Sequence, residues 1–520
     1  MDDRRSAAGS ARMERLLDGP VVPTLLALAA PMTLVLTVQA SISVIETYFV
    51  GTLGAGPLAG VTLVFPIIML MQMVASGGLG GGIASAVARA TGAGAHKRAM
   101  DLAGHGMALA TIAGLLCAAG GLAAGPMIYR ALGGTGPELA AALSYSNVIF
   151  AGMVLLWWSN ALASALRGSG EMIPTAIVIL VAATASIALM PCLIEGWGPF
   201  PQLGLVGAGL ALLAYHALCT AGFLIALARS HGGFAFRRAS QPGRGFKGAL
   251  FADILSVGGL STIMTLQSSL AVVVITSLAA GFGSLILAGY GIGSRLDALL
   301  VPPLFGLGAA TVTMVGVNVG AGRLGRAERI AWLGALVAAA ALEAIGLFVA
   351  AFPRVWLRLF SADHAVLAAG SHYLRTVAPF YGFLGVGTIL HFAALGAGRP
   401  GGPLTAISAR VLVAAGGGAL VVHALGRGQH QLYVMVAAGL VAFALVHAGF
   451  VLNGSLRRSR AAPGRSSLPV RPPASAPGRP AGRPAGRPPG RPTIRPGRLD
   501  RVEPDVLGQE PAGQKAAVDH

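Results

Sequence analysis

The chain of 520 residues has few charged residues and very few cysteines. Both facts restrict the classes of protein and the kinds of site that are possible. Charged side chains make up only 11% of the sequence, whereas soluble domains carry about 25%. The three cysteines, Cys117, Cys192 and Cys219, lie in or beside apolar runs, with no C-x-x-C pair and no His/Cys cluster. They are predicted to be small apolar packing residues, so no disulfide and no metal site is inferred.

Motifs of catalytic and nucleotide-binding sites are also missing. The sequence contains no G-x-x-x-x-G-K-[ST] phosphate-binding loop. Its apolar region has no H-E-x-x-H or D-D pattern, and the one D-D pair lies at residues 2–3 of the N-terminal extension. These absences argue against a membrane-embedded acyl- or glycosyltransferase and favour a protein that is not an enzyme.

Long apolar runs are what the chain has in abundance. Hydrophobic residues make up 55% of the sequence and the mean hydropathy is +0.73. Several runs exceed the ~20 residues that cross a hydrocarbon core, and lipid requires them to be helical because open strands leave backbone groups unpaired. The sequence predicts an all-α polytopic membrane protein with about twelve transmembrane helices. The predicted spans are 21–48, 56–86, 99–125, 138–164, 172–195, 204–229, 250–280, 284–318, 328–352, 371–396, 403–425 and 431–455.

The net charge of +18 follows membrane topology and does not indicate a nucleic-acid partner. Of the basic residues, 13 fall in the segment 456–520, beside five acidic ones. Most of the others lie in loops on one side of the predicted membrane. The positive-inside rule then places both termini in the cytoplasm, and an even number of spans agrees with this because it puts both termini on one side.

The two halves of the chain repeat one another at an offset of 228 to 230 residues. The matches include L-A-G at 58–60 and 287–289, Tyr145 and Tyr373, and T-A-I at 175–177 and 405–407. Six spans separate the copies, so both copies enter the membrane in the same direction. The repeat predicts two six-helix lobes related by a pseudo-two-fold axis along the membrane normal.

The chain is predicted to have five parts, and the composition of the last, a tail, does not allow it to form a hydrophobic core. Thirteen of the 31 prolines fall between 463 and 511 among repeated G-R-P triplets. Such a composition predicts a disordered, basic Pro/Arg-rich tail. The predicted parts are a cytoplasmic extension at 1–19, an N-lobe at 20–229, a cytoplasmic inter-lobe loop at 230–248, a C-lobe at 249–456 and the cytoplasmic tail at 457–520.

Acidic residues inside apolar runs are the first candidates for function, because a charge at the centre of a membrane helix costs ~3 kcal/mol or more. Glu46 lies near the end of the first run and is predicted to couple transport to a proton or cation. The alternative is a glutamate that reaches the lipid headgroups. Glu343 has the most apolar neighbours of any acid and is predicted as a second coupling group. Its alternatives are a structural partner of Arg410 or a neutral buried acid.

Further residues are predicted to be partners of these acids in the cavity, and each has a structural alternative. Gln39 precedes Glu46 by nearly two helical turns, so it faces the same cavity or makes a packing hydrogen bond. Asp297 lines the C-lobe cavity or pairs with another helix, and His391 relays protons or bonds a neighbouring helix. Tyr381 stacks on a flat cationic substrate or belongs to an interface belt. The predicted partners are Gln39, Asn160, Ser186, Asp297, Tyr381 and His391.

Several motifs resemble the multidrug and toxic compound extrusion (MATE) transporters over residues 20–455. They include I-E-T-Y-F-V-G-T-L-G, R-A-T-G-A-G-A-H-K-R-A, A-L-R-G-S-G-E, L-A-G-Y-G-I-G-S-R-L-D and V-G-V-N-V-G-A-G-R-L-G-R-A. The resemblance implies a two-lobed secondary antiporter of the bacterial inner or plasma membrane. It implies export of amphipathic, often cationic, drugs or toxic metabolites in exchange for H⁺ or Na⁺, without ATP or another cofactor. One chain contains both lobes, so a monomer is expected.

Two departures from the family's pattern favour a proton over Na⁺. The family's first-helix Asp is replaced by Glu46, which keeps the carboxylate. One prokaryotic branch places an Asn and an Asp in helix 5, and the matching positions here look like Ser186 and Met190. Hard cations need several oxygen ligands, whereas a single buried carboxylate suits a proton.

Other kinds of membrane protein remain as alternatives at this point. The main one is a flippase for lipid-linked sugar precursors from a related superfamily, whose cavity needs several basic residues to hold pyrophosphate. The few embedded candidates are Arg295, Arg375 and Arg410. A channel is a further alternative, and it would show ion flux without a counter-substrate.

Overall fold

The computed structural model describes residues 11–229, 246–454 and 456, and the regular structure in this part of the chain is entirely helical. The predicted all-α membrane fold is confirmed. The spans are α1 (Val21–Thr52), α2 (Gly56–Gly92), α3 (His96–Ala131), α4 (Gly136–Ala151 and Met153–Gly168), α5 (Met172–Ile194), α6 (Leu205–Arg229), α7 (Gly248–Ala280), α8 (Ser284–Gly320), α9 (Leu324–Ala351), α10 (His364–Gly396), α11 (Gly401–Ala424) and α12 (Gln429–Leu452).

The predicted number of about twelve spans is also confirmed. Within the described ranges, eleven helices are long and apolar enough to cross a membrane, and α4 makes a twelfth when its two segments, bent by 51°, count as one. The largest difference lies at α10, which begins at His364 rather than near residue 371. The Asp363 side chain accepts hydrogen bonds from the backbone N–H groups of Ala365 and Val366. This N-cap starts the helix before the sequence becomes apolar.

Two large hydrophobic cores divide the helices, and a smaller third cluster contains residues of both halves, such as Ala84 and Val312. The first is built from buried residues between Met32 and Ile254, and the second mainly from residues between Ala271 and Leu456. This division agrees with two lobes, one formed by the first half of the sequence and one by the second. The lobe bounds stay a prediction, and most of the loop 230–248, the tail 457–520 and the first ten residues lie outside the described part of the chain.

Helix α1 belongs to both cores. Leu25 and Ala29 near its start pack in the second core, whereas Val35 and Ile42 pack in the first. Pro31 stands at the changeover and has no backbone N–H to donate to the preceding turn. Any repacking of α1 therefore affects both halves of the molecule.

At one end of the bundle the two halves approach closely because glycines face each other. A Cβ added to Gly92 of α2 would lie 1.9 Å from the carbonyl oxygen of Val317, and one added to Gly320 of α8 would lie 2.0 Å from that of Arg89. Small residues allow helices in lipid to pack this closely. The Arg89 guanidinium also contacts the Asp253 carboxylate of α7 at 2.6 Å, so an ion pair joins the halves at the same end.

We expect Gly320→Ala to destabilise the protein, because a side chain forced into a packed interface typically costs about 1–3 kcal/mol. Gly325→Ala is the matched control, since an added Cβ at that helical position meets nothing within 4 Å. The thermal unfolding midpoint in detergent should fall for Gly320→Ala and stay equal or rise for Gly325→Ala. Equal midpoints for both variants would contradict the close approach.

Candidate functional site

Glu46 lies near the end of α1 and is bound by a tyrosine from α4. The hydroxyl of Tyr145 donates a hydrogen bond to Oε1 of Glu46, and Tyr145 itself is buried. Glu46 is half-buried. Among the residues that the structure describes, no lysine, arginine or histidine forms an ion pair with it. A carboxylate withdrawn from water without a basic partner needs a proton or a cation to balance its charge.

The second half places another carboxylate against the tyrosine at the equivalent repeat position. Tyr373 donates to Oδ2 of Asp297 at 2.9 Å, and Tyr381 donates to Oδ1. Arg410 of α11 also lies close enough to Asp297 to interact with it electrostatically. In each lobe, the tyrosine at the repeated position donates a hydrogen bond to one acid. The acid comes from α1 in the first half and from α8 in the second.

These neighbours make the two acids chemically different. Asp297 accepts from two phenol hydroxyls and has a guanidinium within electrostatic range, so three groups stabilise its charged form. Glu46 has one phenol and no such cation in the described region. Of the two, Glu46 is therefore the acid with fewer groups to stabilise its charge.

Glu343 has a backbone partner. Its Oε2 accepts a hydrogen bond of 2.7 Å from the N–H of Gly382 in α10. A 3-10 turn at Ala378–Phe380, which contains Pro379, interrupts α10 just before this glycine. Arg410, the alternative partner predicted for Glu343, has its guanidinium 5.4 Å from the ring centre of Phe443. The contact found for Glu343 is therefore a structural one, with a backbone group beside the interruption in α10. The coupling role of Glu343 stays a prediction.

A cavity of about 150 Å³ lies inside the first half, between α1, α2, α4, α5 and α6. Gln39 donates to the Tyr215 hydroxyl at 2.8 Å, and Ser159 shares a hydrogen bond of 2.9 Å with Nδ1 of His216. Arg167 also lines this space. None of the described lining residues is acidic. The polar lining of the cavity includes Gln39, Gln72, Ser159, Asn160, Tyr215 and His216.

The predicted partners divide between the halves. Gln39 and Asn160 line the first-half cavity, whereas the Ser186 hydroxyl donates to the backbone carbonyl of Ala211 at 3.0 Å and joins α5 to α6. Asp297, Tyr381 and His391 belong to the second half. Tyr381 is only 1% exposed, so its ring is covered and its hydroxyl serves Asp297. The structure therefore does not gather these residues around Glu46.

His391 has a histidine as its neighbour. Its ring centre lies 5.7 Å from that of His447 on α12, and its buried Nδ1 has no hydrogen-bond partner among the described groups. Its predicted roles as a proton relay or a helix-packing group both stay predictions.

Two residues of these sites, Tyr145 and Arg167, are not evident as site residues from the sequence alone. Tyr145 served only as a marker of the repeat, although a tyrosine kept at the same position in both copies was a signal of a shared role. Arg167 is one of the basic residues near the ends of the predicted spans, and the structure places it at the end of α4, where it lines the cavity. A single charge at the end of a long apolar helix does not indicate in which direction the side chain points.

We expect Glu343→Gln to leave both stability and transport close to wild type, because the glutamine oxygen still accepts from Gly382. Glu343→Leu should lower the unfolding midpoint, since an unsatisfied buried N–H costs about 1–3 kcal/mol. Thermal unfolding in detergent and dye export from proteoliposomes measure the two effects. Loss of transport in a stable Glu343→Gln protein would instead assign Glu343 a role as a coupling acid.

The fold and the embedded polar groups define a polytopic helical membrane transporter, and comparison with known proteins places it in a family. The MatE family model matches residues 31–192 and 261–420. The chain belongs to this family of membrane transporters. The resemblance inferred from the motifs is thereby confirmed.

Individual relatives agree with this assignment. A "Probable multidrug resistance protein NorM" of Deinococcus radiodurans is 28% identical over 80% of this chain and 92% of its own length. A protein of Shewanella oneidensis described as "FAD transporter" is 27% identical over 71% of this chain and 81% of its own. The solved structure "Crystal structure of MATE in the bent conformation" has a TM-score of 0.77 at 24% identity, over 86% of this chain and 98% of that one, and it shows the fold.

Proposed function

We propose that the protein is a proton-coupled exporter of small organic molecules, in which Glu46 takes up and releases the proton. The observation that carries the proposal is the surroundings of Glu46. It is a half-buried carboxylate with one phenol partner and, in the described region, no basic partner. It also lies on α1, the helix that packs in both cores.

The mechanism follows from neutralising this one charge. When the cavity faces outward, a proton binds Glu46 and weakens the charge-assisted hydrogen bond from Tyr145. Helix α1 repacks between the two cores, and the bound compound loses its site. When the protein faces inward again, Glu46 releases the proton to the cytoplasm. One proton supplies ~2.3 kcal/mol per 100 mV of membrane potential and about 1.4 kcal/mol per pH unit. Together these exceed the about 2.7 kcal/mol that a hundredfold gradient of an uncharged substrate needs.

The surroundings of Glu46 favour H⁺ over Na⁺. A hard cation requires several oxygen ligands in one place. The position that resembles the family's second cation ligand is Ser186, and its hydroxyl is engaged with the Ala211 carbonyl. Met190 at the next matching position offers no oxygen. A proton needs no such cage.

The distribution of basic loops supports a bacterial cell membrane location with both termini in the cytoplasm. The two cores in one chain support a monomer. Relatives named as multidrug resistance proteins support drugs or toxic metabolites as cargo. A second candidate cargo is a flavin nucleotide, which the relative named "FAD transporter" and the acid-free cavity favour.

The flippase alternative receives less support from the arrangement of basic groups. Arg295 and Arg375 are exposed, and the Arg295 guanidinium lies 5.5 Å from the ring centre of Phe360. Arg410 lies beside Phe443. Binding a pyrophosphate requires several cations that converge on one cavity, and these three do not converge.

We expect a pH gradient, and not a Na⁺ gradient, to drive export of ethidium from proteoliposomes that contain the wild type. Glu46→Gln should abolish this export, because an amide cannot bind and release the proton. Glu138→Gln is the matched control, since Glu138 is an exposed acid on α4. Export by Glu46→Gln at the wild-type rate, or export driven only by Na⁺, would contradict the proposal.

A further inference from the structure

Arg167 contributes the only charged side chain among the described residues that line the first-half cavity. Its Nη2 donates to the Ser164 hydroxyl at 2.8 Å, and Ser164 is fully buried. Its backbone carbonyl accepts from Thr313 of α8 at 2.8 Å, which fixes the end of α4. The guanidinium is therefore held at the cavity wall by one neutral partner, the Ser164 hydroxyl.

The charge of Arg167 has no counter-charge in the described part of the chain. None of the ion pairs there includes it. Glu171, the acid nearest in sequence, pairs with Arg12 at 3.1 Å. Removing a cation from water is unfavourable unless a counter-charge or several hydrogen bonds compensate it. A guanidinium has five N–H donors, and a single hydroxyl uses one of them.

The rest of the cavity complements an anion. Gln72 and Asn160 supply amide groups, and Ser159 and Tyr215 supply hydroxyls, so the lining adds hydrogen bonds without adding negative charge. A guanidinium binds phosphate and carboxylate through paired, charge-assisted hydrogen bonds. A volume of about 150 Å³ is that of an apolar cavity that holds benzene. A space of this size admits the anionic group itself, and the rest of a larger aromatic compound then lies outside it.

We propose that this cavity binds the anionic end of an exported organic compound, a phosphate or carboxylate attached to an aromatic group, with Arg167 as the recognising charge. The inference rests on the proposed function in one respect, namely that the bound compound is the cargo. It also adds an anionic class to the expected substrates, and an organic cation such as ethidium would bind elsewhere because this cavity has no acid to attract it.

The test compares ligands that differ only in charge. Isothermal titration of the purified full-length protein in neutral detergent would use 1-naphthyl phosphate, 1-naphthoate and 1-naphthol. We expect the wild type to bind both anions at least about tenfold more tightly than the alcohol, since one such pair of hydrogen bonds contributes at least about 1.4 kcal/mol. Arg167→Gln should remove the preference, and Arg167→Lys should retain part of it.

Arg130→Gln is the matched control, because Arg130 is an exposed arginine at the end of α3, and it should keep the wild-type preference. Equal binding of anion and alcohol by the wild type would overturn the inference, and so would an unchanged preference in Arg167→Gln. If Arg167→Gln does not yield folded protein, the wild-type and Arg167→Lys titrations still decide.

Ethidium export driven by a pH gradient separates this inference from the proposed function. Anion binding that depends on Arg167, in a protein whose export ignores Glu46, would refute the proton mechanism and leave the binding site in place. Export that depends on Glu46, without any anion preference, would refute the site and leave the mechanism in place.

Discussion

The structure depends on one constraint, the cost of placing a charged or unpaired polar group in the apolar interior of the membrane. Three of the embedded acids have partners that lower this cost. Asp297 has two tyrosines and a nearby arginine, Glu343 has a backbone N–H, and Asp253 pairs with Arg89 across the halves. Glu46 and Arg167 are the exceptions that motivate the functional account, since their charges lack an opposite charge among the described residues.

The repeat explains why the exceptions fall where they do. Both halves keep a tyrosine at equivalent positions, Tyr145 and Tyr373, and both use it to hold a carboxylate. In the second half the carboxylate comes from α8 and is balanced. In the first half it comes from α1, which also packs in the other core, so a change in its charge acts on the contact between the lobes. Under the proposed function, the two similar lobes serve different roles, with the switching acid in the first lobe.

The sequence predicted the fold well because hydropathy and repeat offset are properties of the chain alone. Twelve spans and two halves follow from run length and from matched segments such as those that contain Tyr145 and Tyr373. Partners across helices were not predictable, because the rotation of each helix is set by packing against its neighbours. Ser186 turns to a backbone carbonyl, and Arg167, at a helix end, turns to a cavity. Neither direction is encoded by spacing along one helix.

The central claim is that Glu46 exchanges a proton against bound cargo. The most direct measurement is proton release when a transported ligand is added to purified protein in weakly buffered detergent, followed with a pH indicator. The account predicts release by the wild type in proportion to bound ligand, and no release by Glu46→Gln at the same ligand occupancy. Equal proton release by both proteins would contradict the claim and place the exchanging group elsewhere in the molecule.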